Sequence, residues 1–402
     1  MNLLDELAAA RPSGLDPAPD PDRRYRHLDA ALSQRPEGAR RHRRSGGART
    51  RRRAALGLGV VAVGAAAAVA VATTGGSATR PRTTAGHSTA PGSTFLLAAA
   101  KAELLPTGKY WFSDQVEGQS YIVRPGNYAV SATGSEFFHW TGAKKGDGEY
   151  FAGRDLAFRP WSAADMAAWK AAGKPSTLRV WAGDHYDTIV AKTSPWDSNK
   201  PTPNGGGQFV LPGKQKATVE DIQRLPTDPA ALSKIVFAQR DPARGGGKGK
   251  NPPPELAAWI KKRDANPGFR LALASGFLEG SPLPPKVQAA VMRLLKSQPG
   301  VREIDNVTDP LGRRGVALAG AELRQGIDYV NGKWTITDNG YGHEEQLIFD
   351  PKTGAYLGER DVLTSPGRQW ASRAPGFTIF YWAVRASGWT NTKPALPTSL
   401  PF

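Results

Sequence analysis

The spacing of apolar positions changes character along this 402-residue chain. Leu3, Leu4 and Leu7 mark one face of a short helix over residues 2–10, and Tyr25, Leu28, Ala31 and Leu32 repeat that spacing between Arg23 and Ser33. Both stripes are too narrow to hold a helix in water unaided. Residues 1–53 therefore read as a largely flexible, Arg-rich tail. Ala54 to Ala72 then gives nineteen apolar residues with no charge and no proline. At helical rise this run spans roughly 28 Å, close to the hydrocarbon thickness of a bilayer, so residues 54–73 read as a transmembrane helix. Gly, Ser, Thr, Pro and Ala dominate residues 74–94, the composition of a flexible linker.

Residues 95–396 read as one folded domain. Phe95 to Leu105 predicts a helix with Thr94 as its cap and Pro106 as its stop. Short β-type runs follow at Tyr110–Val116, Ser120–Arg124, Tyr128–Thr133, Glu136–Thr141 and Glu149–Phe158, separated by Gly, Asp or Pro. The middle turns helical. Ser162 with Asp165, in a helix over Trp161–Ala172, and Thr218 with Asp221 predict capping boxes; Asp228 precedes Pro229, a favoured first helical position. Val287, Ala290, Val291, Leu294 and Leu295 line one face of a helix over Pro285–Ser297. The last third reverts to strands at Val301–Thr308, Arg314–Gly320, Trp334–Thr337, Gln346–Phe349, Ala355–Leu363 and Thr378–Ala386, with Asp350–Gly354 as a hairpin turn. A helical block between two strand meanders predicts an α+β fold. Its sheet is curved, antiparallel, half-open and barrel-like, with helices on one face and a single transmembrane helix ahead of it.

Charge sets the direction of the anchor. Eight arginines between Arg40 and Arg53 crowd one end of the apolar run, which puts that end in the cytoplasm and the C-terminal domain outside a plasma membrane. A cleaved signal is the second reading, because Ala70-Val71-Ala72 fits a small-x-small site; the long stretch ahead of the core argues against it. The lipid bilayer is thus the first expected partner. The net charge is +17, and its excess beyond the anchor suits an anionic envelope. An outward-facing domain gives no reason to expect nucleic acid. The heavy use of Ala, Gly, Arg and Pro points to a GC-rich, bacterial coding bias.

The chain has no cysteine, which removes disulfides, thiolate nucleophiles and cysteine-held metal centres together. Gly245 to Lys250 invites a phosphate-loop reading that fails on Arg244 and Asn251, and the stretch runs into Pro252-Pro253-Pro254. It reads as a basic loop, with Arg244, Lys248 and Lys250 as a candidate anionic contact. Histidines show no metal spacing, and Asp184-His185-Tyr186-Asp187 and His343-Glu344-Glu345 carry only weak acid–base signals. Glu344 and Glu345 are adjacent and diverge on a strand. Serine-hydrolase motifs are absent. No catalytic residue, metal ligand or cofactor is therefore assigned. Trp and Phe are dense in the strands, with Trp111, Phe138, Trp140, Phe380 and Trp382 as a candidate apolar groove on a half-open sheet. Ordinary packing on both sheet faces is the competing reading.

Several segments carry a resemblance. They are Leu4-Asp5-Glu6-Leu7 ahead of Ala10-Arg11-Pro12, the Arg-rich tail with its Ala/Val anchor, Leu225-Pro226-Thr227-Asp228-Pro229, and Phe349-Asp350-Pro351-Lys352-Thr353-Gly354 followed by Leu357-Gly358. Together they resemble an uncharacterised family of actinobacterial single-pass membrane proteins, over nearly the whole chain. The resemblance brings no catalytic residues with it. More loosely, the ectodomain is similar to the half-barrels of lipoprotein carriers and periplasmic anti-sigma regulators, an analogy of fold. The expectation is a non-enzymatic, membrane-anchored extracytoplasmic binding or sensing protein, linked to sigma-factor or envelope signalling. It takes no cofactor, contacts an apolar ligand or an envelope protein, and meets a cytoplasmic regulator at its tail. The alternative is a cell-wall or glycan hydrolase whose carboxylates are assembled by folding.

Overall fold

Helix caps and strand alternation lay out a computed structural model that describes residues 93–105, 107–181, 186–198, 200–211, 214–238, 253–280, 282–330 and 333–402. The apolar run on which the anchor expectation rests lies outside these residues. No helix among those described is long and apolar enough to cross a membrane.

The first helix among the described residues, α1 (Thr94–Ala102), begins one residue earlier than its sequence suggests. Ser93 is the cap, accepting the Leu96 N–H, and its hydroxyl also donates to Glu303 at 2.6 Å. Strands β1 (Tyr110–Val123) and β2 (Tyr128–Gly142) are each continuous where two short runs are expected. Gly118 does not break β1, because the Tyr381 ring crosses the strand in the space a side chain would fill. β3 (Glu149–Asp155) and β4 (Arg159–Pro160) complete the first meander, and α2 (Ala163–Ala171) follows under the Ser162 cap. Asp165 does not close a capping box there. Its carboxylate turns inward to the Ala129 N–H at 2.7 Å and to Arg373 at 2.9 Å.

The middle segment adds β5 (Thr177–Trp181), β6 (Tyr186–Val190), β7 (Asp197–Ser198), β8 (Phe209–Leu211) and β9 (Lys214–Ala217). Five helices follow among the described residues. α3 (Val219–Gln223) has the Thr218/Asp221 capping box, and α4 (Pro229–Val236) has Asp228 as its cap and proline in its first turn. α5 (Pro254–Asp264), α6 (Pro267–Gly280) and α7 (Pro285–Lys296) complete the block. The last meander is β10 (Arg302–Thr308), β11 (Arg314–Ala321), β12 (Gln325–Val330), β13 (Lys333–Asp338), β14 (Gly342–Phe349), β15 (Tyr356–Ser365) and β16 (Thr378–Thr390).

Ten of these strands make one sheet in the order β10-β11-β14-β15-β16-β1-β2-β3-β7, with β4 on β2 and every pair antiparallel, while β5–β6, β8–β9 and β12–β13 form separate two-stranded antiparallel sheets. The fold is therefore α+β with a large curved antiparallel sheet, and among the described residues the sheet does not close into a barrel. The two meanders meet in the middle, where the first long strand pairs with the last. One face, here the inner face, carries α1, α6 and α7. Phe95, Phe277, Met292 and Leu295 pack there on Leu318, Leu347 and Phe349, with the Phe95 and Phe349 rings edge to face at 5.1 Å. Each such buried side chain contributes about 1.5–3 kcal/mol. The Asp350 turn forms as its sequence predicts. Its carboxylate accepts the Lys352 and Thr353 N–H groups, and Gly354, at φ +74°, lies so close to the Ala98 carbonyl that no Cβ fits.

Candidate functional site

Strand alternation divides each strand between two faces, and the register fixes which side chains become neighbours. One inner-face row runs Glu117, Trp382, Glu359 and Leu347 across β1, β16, β15 and β14. The next runs Gln119, Phe380, Asp361 and Glu345 across the same four strands. Glu345, Glu359 and Asp361 are all buried. Helix α6 brings a further carboxylate to this face: Glu279 accepts a hydrogen bond from the Tyr356 hydroxyl at 3.3 Å. Burial, then the Glu359 and Glu117 charges, hold the Glu279 carboxyl well above the usual carboxylate range. Burial and the charges of Glu279, Glu359 and Glu345 push the Tyr356 phenol well up.

Beside the carboxylates lies a ladder of rings. Phe137 stacks on Trp382 at 5.7 Å and 12°, and on Phe151 at 6.1 Å. Phe151 in turn meets His139 at 6.4 Å, and His139 meets Trp111 at 6.3 Å. His139 is neutral at ordinary pH, burial having lowered its pKa to about 3. Its Nε2, with Ser113 Oγ and Thr141 Oγ1, is buried without a hydrogen-bond partner among the described residues. All three share the inner face, as the pairings Ser113 to His139 and Trp111 to Thr141 require. Native proteins rarely leave such atoms unsatisfied in a core, because each costs about 1–3 kcal/mol.

The five groove aromatics do not share one surface. Trp111, Phe380 and Trp382 are on the inner face, with Phe209 edge-on to Trp111 at 6.1 Å. Phe138 and Trp140 point to the outer face, where they cluster with Tyr110 and with Leu396 of the C-terminal segment. An open cavity of about 500 Å³ there is lined by Trp140, Tyr150, Ser198, Lys200, Pro201, Pro394 and Leu396. The basic trio Arg244, Lys248 and Lys250, like Asp184 and His185, lies outside the described residues. Glu344 and Glu345 diverge as expected: Glu344 pairs with Arg302 at 2.5 Å, while Glu345 joins the inner rows.

The outer face holds a second ionic group. Glu136 accepts hydrogen bonds from Arg154 at 2.6 Å and from Arg385 at 2.8 Å, and both arginines reach the Ser399 carbonyl. Asp114 lies 3.5 Å from Arg385, yet burial and the Glu136 charge raise its carboxyl to about 7. Among the described residues no three of His, Asp and Glu are arranged to hold a metal ion. No family model, curated protein or solved structure matches this chain.

Proposed function

We propose that this chain is a membrane-anchored, extracytoplasmic binding protein that holds a small amphipathic ligand on the inner face of a half-open, barrel-like sheet. One observation carries the reading: stacked rings and buried carboxylates occupy adjacent rows of the same face. Desolvating a carboxylate costs several kcal/mol, so a face selected for stability alone would carry Leu or Val at positions 345, 359 and 361. The ladder from Trp111 to Trp382 offers an apolar surface to the body of a ligand. Glu345 Oε1 and Glu359 Oε2, with His139 Nε2, Ser113 Oγ and Thr141 Oγ1, are the buried polar atoms to meet a polar end rich in hydroxyl or ammonium donors. Anchoring follows from the apolar run 54–72 and its arginine flank. Native mass spectrometry of the full-length chain in detergent tests the reading. The expected result is a stoichiometric adduct that weakens in Phe151→Ala and Glu279→Gln while the circular dichroism stays that of the parent. A ligand-free mass, unchanged by added amphiphiles, overturns it.

A second reading is favoured by Glu279. A carboxyl whose pKa is raised by burial and by the neighbouring Glu359 is the kind of arrangement by which glycan hydrolases divide acid and base roles. In that case the full-length protein releases soluble fragments from peptidoglycan, and Glu279→Gln abolishes the release. No release from wild type removes it.

A further inference from the structure

Helix α1 is apolar on both sides. Phe95, Ala98, Ala99 and Ala102 are buried in the core, while Leu96 is 43% exposed, Leu97 58% and, just past the helix, Leu104 82%. Three of the large exposed hydrophobic side chains thus fall within nine positions: Leu96 and Leu97 follow one stripe of the helix with Ala100 and Lys101, and Leu104 lies two residues past its end. A soluble surface helix ordinarily carries polar groups there, and contiguous exposed apolar patches mark a contact. The stripe is held firmly. Glu303 accepts hydrogen bonds from Ser93 and the Phe95 N–H, and Lys101 donates to the Pro351 carbonyl at 3.0 Å. Basic groups accompany it: Lys101 within the stripe, Lys352 next in the chain to the Pro351 that Lys101 reaches, then Arg293 and Lys296, which pair with Glu103 and Glu303. Position along the chain says what lies opposite. About twenty residues of Gly/Ser/Thr/Pro-rich sequence separate the apolar run from α1, a reach of roughly 25 Å if flexible. α1 is therefore tethered close to any bilayer that holds residues 54–72.

We propose that the exposed stripe of α1 seats on the surface of an anionic lipid bilayer, with Leu96, Leu97 and Leu104 in the headgroup–acyl boundary and Lys101 and Lys352 at lipid phosphates. The seat fixes the orientation of the domain at the membrane, and it rests on the anchor reading above. An apolar face with a cationic border is the pattern of interfacial helices. Leucine at these positions gains nothing from solvent and does not contribute to the core.

The absence of cysteine makes the test direct. Full-length Leu97→Cys and, separately, Val190→Cys carry an environment-sensitive fluorophore in vesicles of phosphatidylglycerol and phosphatidylethanolamine. Val190 is a comparably exposed apolar residue on the β5–β6 hairpin. The expected result is a blue-shifted emission at position 97, quenched by nitroxide lipid and shielded from aqueous iodide, with the reverse at position 190. Adding Leu96→Ser and Leu104→Ser to the labelled chain restores iodide quenching at position 97. If the chain floats with the vesicles after an alkaline wash but position 97 stays aqueous, the seat is wrong and the anchor stands. If the chain does not float, the anchor reading fails and the seat with it. Energy transfer between labels at position 97 on different copies, without lipid quenching, overturns the proposal in favour of a second copy of the chain.

Discussion

Asp114 and His139 lie on neighbouring strands, face opposite sides of the sheet, and titrate in opposite senses. Burial, helped by Glu136 and resisted by Arg385, raises Asp114 to about 7, so the folded chain keeps a proton that the unfolded chain has lost above pH ~4. Stability from this group is complete below that value and disappears as the pH rises through about 7. Urea midpoints at pH 5 and pH 8 should show wild type losing more than Asp114→Asn on going up. His139, lowered to about 3 by burial, works the other way: its contribution is whole above pH ~6.5 and is lost as the pH falls through about 3. His139→Gln should therefore flatten the acid limb. Gly118 gives a purely steric case. Gly118→Ala drives a methyl into the Tyr381 ring, at a cost of about 1–3 kcal/mol by chemical denaturation. Part of the site was legible at this scale. Glu359 and Asp361 alternate within a predicted strand, so two carboxylates on one face of Ala355–Leu363 could be seen in advance. That Phe138 shares a face with Trp140, and Phe380 with Trp382, was equally readable. Which pair faces the carboxylates was not, because only pairing to β1 decides it.

Elements with local chemistry of their own were the readable ones. The Thr218/Asp221 box, Asp228 before Pro229, the stripe of α7 and the Asp350 turn each depend on residues a few positions apart, and each formed. α6 was harder. Phe269, Leu271, Ala274, Phe277 and Leu278 are all buried, and the less buried positions, Arg270, Ala272, Leu273 and Gly276, hold too few polar side chains to give the helix a period. It is also the helix that delivers Glu279, so the same missing period concealed one wall of the site. Continuous β1 and β2 were hidden for a different reason: Gly118 and Gly134 look like breaks until the side chains that need their space are known. Ser93 links α1 to the edge strand β10 through Glu303 as well as capping it. Ser93→Ala should cost about 1–2 kcal/mol, read as a lower urea midpoint, and should loosen amide-exchange protection in α1 before the rest of the domain.

At the scale of the whole molecule, two meanders become one sheet because β16 inserts between β15 and β1. Everything in the inner rows depends on that insertion, since Trp382 and Phe380 are the residues that bring Glu117 beside Glu359 and Asp361. A chain stopped before Thr378 should retain helical circular dichroism but lose the single cooperative heat-absorption peak in calorimetry. The free edges of the finished sheet are subdued. β7 is two residues long, and β10 is charged and bulged between Ile304 and Val307, as suits strands exposed to solvent. The junction of first strand and last has a consequence in time. A ribosome that has made β1 must still pass Thr390 before that strand can meet its second neighbour, so throughout synthesis β1 carries an open, aromatic-rich margin. The chain is therefore most in need of a chaperone in the interval between making its first strand and its last.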